Sequence, residues 1–212
     1  MTTSDITGGR PFDAVLCDLD GVIRYYDTEA VARLERAAGL EVGTTARFAF
    51  APEQDLPLLL GQITRDQWAD SIARCLMDLH VSETVAHELS TTFAHAPSWA
   101  DEAVVEILGQ VRAHVPVVLV TNATTWLEED LATLGLSDIA DHIVSSARVG
   151  VAKPDRRIYE IASERAGVGA ARCLFVDDRE ENVQAATTLG MTGVYYRTPA
   201  DLREALGPLL SR

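Results

Sequence analysis

The sequence predicts an α/β protein built on a doubly wound parallel sheet, with helices covering both faces. Short β-branched apolar runs alternate with longer helical patterns, which is the order typical of parallel strands joined by crossover helices. The chain has 212 residues, of which 47% are hydrophobic and 24% charged. That length suffices for one large domain or for a core domain that carries a smaller insert.

Five apolar runs are predicted as the strands, in chain order 14–18, 116–121, 142–145, 173–177 and 193–196. The connections between the last four have ordinary helix-plus-loop length, and another helix closes the chain. These helices are predicted at 124–134, 155–166, 180–189 and 202–210.

Residues 27–97 contain far more chain than one crossover helix needs, and their texture is helical throughout. Helices are predicted at 29–38, 52–60, 64–79 and 82–94. Thr64 and Gln67 have the spacing of a reciprocal capping box. We therefore predict a helical cap at 27–97, inserted into a core domain formed by residues 1–26 and 98–212.

The composition excludes several classes of partner. A net charge of −14 without a Lys/Arg-rich block argues against nucleic-acid binding. No apolar run approaches the roughly 20 residues of a membrane span. The N-terminus is polar, so no secretory signal is expected there. Cys17 and Cys173 lie in apolar runs and are expected to be buried thiols, so a cytoplasmic location is predicted. The composition leaves the oligomeric state open.

The first chemical motif follows the first strand. Asp18 and Asp20 are separated by one residue, and Gly21 lets the backbone of this turn approach a ligand closely. An aspartate can attack phosphorus and form an acyl phosphate, while a second carboxylate transfers protons. A calcium-loop fragment or a plain acidic turn is the alternative explanation of this motif alone.

Two further motifs come later in the chain. Thr121 and Asn122 end a buried strand just before a predicted helix, where a hydroxyl and backbone N–H groups suit a phosphate oxygen; an N-cap is the alternative. Lys153 precedes another helix and could stabilise charge on a phosphoryl group, although a lone lysine is more often solvated surface.

Asp177 and Asp178 end the fourth core strand. If this strand and the first belong to one parallel sheet, four carboxylates converge at one sheet edge and repel one another unless they bind metal or share protons. Hard oxygen ligands of this kind suit Mg²⁺. An acidic first helical turn, favoured by the helix dipole, is the alternative.

Taken together, these four motifs resemble those of the haloacid dehalogenase-like (HAD) hydrolase superfamily over the whole chain. The resemblance implies a Rossmann-like sheet with strand order 3-2-1-4-5, and the insert after the first motif resembles the helical cap of some members. It also implies the following site: Asp18 as nucleophile, Asp20 as general acid/base, Gly21, Thr121 and Asn122 near the substrate phosphate, Lys153 orienting that phosphate, and Mg²⁺ held by Asp18, the main-chain carbonyl of Asp20 and Asp178, with Asp177 close by.

The resulting hypothesis is a Mg²⁺-dependent phosphomonoesterase acting on a small phosphorylated metabolite, such as a sugar phosphate. A phosphomutase of the β-phosphoglucomutase type, a dehalogenase, a phospho-acceptor module and an inactive binding module are the alternatives. Dehalogenases resemble this chain without the second aspartate, so Asp20 favours phosphoryl transfer. Candidate substrate contacts are Arg24, Tyr25, Tyr26, Arg47, Phe48, Phe50 and Trp68. The histidines His80, His87, His95, His114 and His142 show no ligand spacing.

Overall fold

A computed structural model describes residues 10–210 of the chain. The strands of this part are β1 (Ala14–Cys17), β2 (Arg24–Tyr26), β3 (Ser98–Ala100), β4 (Val117–Thr121), β5 (His142–Ser145), β6 (Cys173–Asp177) and β7 (Thr192–Tyr195). Its helices are α1 (Glu29–Ala37), α2 (Thr44–Ala49), α3 (Pro52–Leu59), α4 (Arg65–Met77), α5 (Glu83–Ala94), α6 (Glu102–Arg112), α7 (Leu127–Thr133), α8 (Ser146–Val149), α9 (Arg156–Ala166), α10 (Glu180–Thr188) and α11 (Pro199–Leu210).

The core is a five-stranded parallel sheet with β1 at its centre. The spatial order is β5-β4-β1-β6-β7, which is 3-2-1-4-5 when only the five core strands are counted, so the predicted order is confirmed. Val15 of β1 is in register with Val117 on one side and with Leu174 on the other. The chain order therefore reverses on either side of β1, and such switch points are where open α/β sheets bind ligands.

Both faces of the sheet are covered, as predicted. Successive side chains of a strand point to opposite faces, and β1 divides its apolar residues accordingly. Val15 and Cys17 join a buried cluster with residues of α6 and α11, whereas Ala14 and Leu16 join a second cluster with residues of α9 and α10. Because β1 is apolar on both faces, it is fixed at the middle of the molecule.

Helices α1 to α5 pack around a cluster of their own, in which Ile72, Leu76 and Leu89 are fully buried. The antiparallel pair β2–β3 lies where the chain enters and leaves this helical insert. The predicted capping box is present: the Gln67 N–H donates to Thr64 Oγ1 at 3.2 Å and the Thr64 N–H donates to Gln67 Oε1 at 2.9 Å. The division into a core of residues 1–26 and 98–212 and a cap of 27–97 stays a prediction.

Five elements were not predicted from the sequence: β2, β3, α2, α6 and α8. Strands of three residues and helices of four to six are too short to show a period. Helix α6 did carry a signal: Asp101 caps it by accepting from the N–H groups of Ala103 and Val104. Other boundaries shifted by up to three residues, because caps and last turns do not follow the hydrophobic pattern.

Residues 1–9, where no secretory signal is predicted, and 211–212 lie outside the described part. Among the helices of residues 10–210, none combines the length and the apolar character required to cross a bilayer. Cys17 and Cys173 are buried, as predicted, and neither forms a disulfide.

Candidate active site

Three aspartates converge where β1 and β6 end side by side. Asp18 follows β1, Asp177 is the last residue of β6, and Asp178 comes next along the chain. One carboxylate oxygen from each lies within 4.8 Å of the others. The predicted convergence at this sheet edge is therefore present for these three side chains.

The two carboxylate oxygens of Asp18 differ in their contacts. Its Oδ1 accepts from the Leu19 N–H at 2.7 Å and forms an ion pair with Lys153 Nζ at 2.7 Å. Within residues 10–210, Oδ2 takes part in no hydrogen bond. The residue is only 5% exposed and lines a cavity together with Asp20, Lys153 and Asp178. One oxygen is thus held in place while the other is available to a ligand.

Lys153 joins two of the aspartates. Its buried ammonium lies 2.7 Å from Asp18 Oδ1 and 2.7 Å from Asp177 Oδ2. The other oxygen of Asp177, Oδ1, accepts from the Arg179 N–H at 2.8 Å and from Asn182 Nδ2 at 2.9 Å. Asp177 is consequently fully paired, and its geometry fixes the lysine beside Asp18.

Asn182 was not among the predicted site residues. It lies in the first turn of α10, five positions after Asp177, and is buried. A helix that starts directly after a strand places its first turn over the strand end, and this spacing was the available signal.

The electrostatics of the site show an excess of negative charge. Burial raises the pKa of Asp18, and the neighbouring Asp177 raises it further, although the Lys153 ammonium opposes both effects. Burial and Asp177 likewise raise the pKa of Asp178. Burial alone would lower the pKa of Lys153, but Asp18 and Asp177 outweigh it and raise that pKa. One ammonium therefore does not neutralise three carboxylates.

Gly21 makes the approach of Asp178 possible. Its φ is +83°, and a Cβ on this residue would lie 2.2 Å from Asp178 Oδ2 and 2.6 Å from Asp178 Cγ. Any side chain would therefore collide with the carboxylate while also straining the backbone. The turn after β1 requires glycine for both reasons.

Asp20 lies on the same turn, outside the cluster of the other three aspartates, and lines the same cavity as Asp18 and Asp178. Arg24 donates to its carboxylate through Nε at 2.6 Å and Nη2 at 2.9 Å, and binds Asp130 through Nη1 at 3.0 Å. Arg24 is 3% exposed. Arg24 was predicted to contact the substrate. Its guanidinium already binds two carboxylates, and its contacts with Asp20 fix the orientation of that side chain.

Thr121 and Asn122 both line the cavity at Asp18. The hydroxyl of Thr121 is buried and has no hydrogen-bond partner within residues 10–210. The Asn122 side chain is engaged, since Nδ2 donates to the Lys153 carbonyl at 2.9 Å and Oδ1 accepts from the Lys153 N–H at 2.7 Å. Thr121 thus offers an unused polar atom, whereas Asn122 positions the lysine backbone.

A larger cavity of about 520 Å³ opens from Asp20, Gly21 and Asp178 towards the helical insert. Tyr26, Phe50 and Trp68, predicted as substrate contacts, line it. Tyr25 instead donates its hydroxyl to the Gly21 carbonyl at 2.9 Å. Arg47 is exposed and stacks over Phe48, and neither residue is among those that line the two cavities.

The donor set suits a small divalent cation. Three carboxylates provide hard oxygen atoms within 4.8 Å of one another. Burial raises the pKa of Asp18 and of Asp178, so a bound cation would stabilise their ionised forms. Mg²⁺ takes one or two protein carboxylates together with water and phosphate oxygens. Asp18 and Asp178 fit this requirement, while both oxygens of Asp177 already have partners.

The sheet order is that of a Rossmann-like α/β protein, and the aspartate cluster at its switch point is a candidate active site. A sequence profile of haloacid dehalogenase-like hydrolases matches residues 12–190. The chain belongs to this family, as its motifs predicted.

Individual relatives support the same assignment. Phosphatase MT3486 of Mycobacterium tuberculosis (strain CDC 1551 / Oshkosh) is 30% identical over 193 residues, which is 84% of each chain. A HAD family enzyme of Bacteroides thetaiotaomicron, solved with magnesium and inorganic phosphate, has a TM-score of 0.64 at 22% identity, over 85% of this chain and 92% of that one. An L-2-haloacid dehalogenase of Xanthobacter autotrophicus has a TM-score of 0.62 at 22% identity, over 92% and 83%. The two structures establish the likeness of the fold.

Proposed function

We propose that this protein is a Mg²⁺-dependent phosphomonoesterase that acts on a small phosphorylated metabolite through an aspartyl phosphate. The observation that carries the proposal is the state of Asp18, whose Oδ1 is fixed by Lys153 and Leu19 while Oδ2 has no hydrogen bond within residues 10–210, in a residue that lines a cavity with Asp20. The name of the relative Phosphatase MT3486 supports the same class of reaction.

In the first step, an Asp18 carboxylate oxygen attacks the phosphorus atom and the bond between phosphorus and the ester oxygen breaks. Asp20 donates its proton to the departing oxygen, so the products are a free alcohol and a phosphorylated Asp18. Arg24 is a positioning residue in this step, because its two bonds to Asp20 hold that carboxyl group at the cavity wall.

In the second step, a water molecule attacks the phosphorus atom of phosphorylated Asp18. Asp20 takes a proton from this water molecule as the attack proceeds. Inorganic phosphate leaves, Asp18 returns to the carboxylate, and Asp20 is protonated again for the next turnover. Asp20 thus gives up one proton in the first step and regains one in the second, and no further acid or base is required.

The remaining polar groups bind the transferring phosphoryl group. The buried Thr121 hydroxyl, which lacks a partner in residues 10–210, would donate to a phosphate oxygen. Lys153 would hold the phosphate through its ammonium once a cation shares the charge of Asp18. Asp18, the main-chain carbonyl of Asp20 and Asp178 would hold Mg²⁺, which neutralises the negative charge that gathers during phosphoryl transfer.

The helical insert would act as a cap on this site. Asp55 and Leu59 of α3, with Phe50 at the end of α2, line the same cavity as Asp18 and Lys153. A cap in this position excludes water during the first step and opens for product release. Its side chains would therefore choose the alcohol portion of the substrate.

Release of inorganic phosphate from a panel of monoesters tests the proposal. We expect turnover with Mg²⁺, loss of at least about a hundredfold in excess EDTA, and recovery on adding Mg²⁺ back. The Asp18→Asn protein serves as the inactive control. Equal phosphate release by the wild-type and Asp18→Asn proteins would disprove the nucleophile assignment.

A dehalogenase is the second candidate, because a haloacid dehalogenase shares the fold at a TM-score of 0.62. Displacement of a halide from carbon requires no proton donor for the leaving group, so Asp20 would have no task in it. Chloride release from a 2-haloacid that persists in EDTA, without phosphatase activity, would favour this candidate.

A further inference from the structure

We infer that the alcohol portion of the substrate is apolar, an alkyl or aryl group rather than a polyhydroxylated sugar or a second anionic group. The inference deepens the proposed phosphomonoesterase function and rests on it. Its basis is the wall chemistry of the 520 Å³ cavity, which continues from Asp20, where the leaving oxygen would be protonated, into the helical insert.

The far wall of the cavity is a contiguous aromatic surface. Phe93 lies between two other rings, with centroid distances of 5.7 Å to Phe50 and 5.8 Å to Trp68. Leu58 and Trp126 extend the apolar lining. Phe50 is 64% exposed, and a large apolar side chain left open inside a concave site indicates a surface that an apolar ligand covers.

The two arginines of the cavity are already neutralised. Arg24 binds Asp20 and Asp130. Arg65 lies 3.4 Å from Asp130 and 3.3 Å from His95 Nδ1, and its guanidinium stacks over Trp126 at 4.4 Å. A second phosphate or a carboxylate on the substrate would have to displace these partners. The arginines therefore act as part of the wall.

The acidic groups of the cavity also disfavour a second anion. Asp55 lines it alongside Asp178, so a bisphosphate or a phosphorylated carboxylic acid would meet repulsion beyond the phosphate site. A sugar would place several hydroxyl groups against the aromatic wall, where they would lose water without gaining hydrogen bonds. An apolar group avoids both costs, and a cavity of this size accommodates a small ligand.

A series of n-alkyl phosphates isolates this contact, because the reacting phosphate is constant while the chain grows. We expect kcat/KM for Mg²⁺-dependent phosphate release to rise about two- to fourfold per methylene from ethyl to hexyl phosphate. Hexyl phosphate should exceed glucose 6-phosphate and fructose 1,6-bisphosphate by about tenfold or more.

Variants at the aromatic wall locate the effect. Phe50→Ser should reduce kcat/KM for hexyl phosphate about tenfold more than for ethyl phosphate, whereas Phe50→Leu should retain most of the chain-length preference. Leu56→Ser is the matched control, since Leu56 is 48% exposed on the same insert but outside the residues that line the cavity. Thermal unfolding of each variant verifies the fold.

The outcomes separate the two levels of the hypothesis. A slope with chain length that Phe50→Ser abolishes and Leu56→Ser preserves supports the inference. Phosphate release that is independent of chain length, or fastest with a sugar phosphate, overturns the inference and keeps the phosphomonoesterase. Absence of phosphate release from every ester overturns both.

Discussion

Replacement of Gly21 by alanine tests how the turn after β1 builds the site. The added Cβ would lie 2.2 Å from Asp178 Oδ2, whereas ordinary contact begins at 3.4 Å, so the carboxylate must withdraw by about 1.2 Å. Asp178 is one of the proposed Mg²⁺ ligands, and its oxygen would leave the cluster that it forms with Asp18. A misplacement of about 1 Å in a catalytic group costs on the order of a hundredfold in rate.

A matched variant separates this collision from backbone strain. Gly21 has φ +83°, and alanine there costs about 1 kcal/mol of stability. Gly39 has φ +74°, and a Cβ on it would meet nothing within 4 Å. Gly39→Ala should therefore lose similar stability by urea unfolding while keeping its activity.

The assay is Mg²⁺-dependent release of phosphate from hexyl phosphate and 4-nitrophenyl phosphate, with Mg²⁺ titrated. We expect Gly21→Ala to lower kcat/KM about a hundredfold and to require more Mg²⁺ for half-maximal activity. If Gly21→Ala and Gly39→Ala were equally active, Asp178 would not need its observed position, and the proposed metal site would be wrong.

Three further substitutions probe the charges around the cavity. Asp18→Asn should lower turnover by at least about a thousandfold while leaving the circular dichroism spectrum and melting temperature close to wild type; measurable burst formation of phosphoenzyme in this variant would contradict the proposed role. Lys153→Met should lower the free energy of unfolding by about 3–5 kcal/mol in EDTA, because it leaves buried carboxylates unpaired; an unchanged urea midpoint would show that the ion pairs carry little stability. Burial raises the pKa of Asp55 to about 6, although Arg179 opposes this effect. The folded state therefore holds the Asp55 proton more tightly than the unfolded chain does. For this reason the free energy of unfolding falls as the pH rises from about 4 to about 6. Asp55→Asn should therefore be more stable than wild type by on the order of 1 kcal/mol at pH 7.5 and equal to it at pH 4, a comparison that urea unfolding at both values makes directly.

The fold class and the order of the motifs were readable from the chain because they depend on local patterns. Apolar runs such as Val117–Thr121 and Cys173–Asp177 have the length and composition of buried strands, and all the motifs except that of Lys153 lie at the end of such a run. Parallel strands place their carboxyl ends at one sheet edge, so Asp18 and Asp178 could be assigned to one site before any distance was known.

The partners of those residues depended on tertiary contacts. No pattern in the sequence indicates that Arg24 binds both Asp20 and Asp130, which are 110 positions apart, or that Asn182 donates to Asp177. Asn122 was expected near phosphate, yet its side chain binds the backbone of Lys153. Such pairings arise when loops from separate crossovers meet, and their geometry follows from packing.

The sequence by itself determined the sheet, the helical insert and the list of candidate catalytic residues, since hydrophobic period and residue type are local properties of the chain. Only the tertiary structure decided that Asp18 has one oxygen paired and the other unpaired within residues 10–210, that Gly21 makes room for Asp178, and that Phe50, Trp68 and Phe93 form one wall. The physical reason is that pairing and exclusion act over distances of a few ångströms between residues far apart in the chain, and folding alone sets those distances.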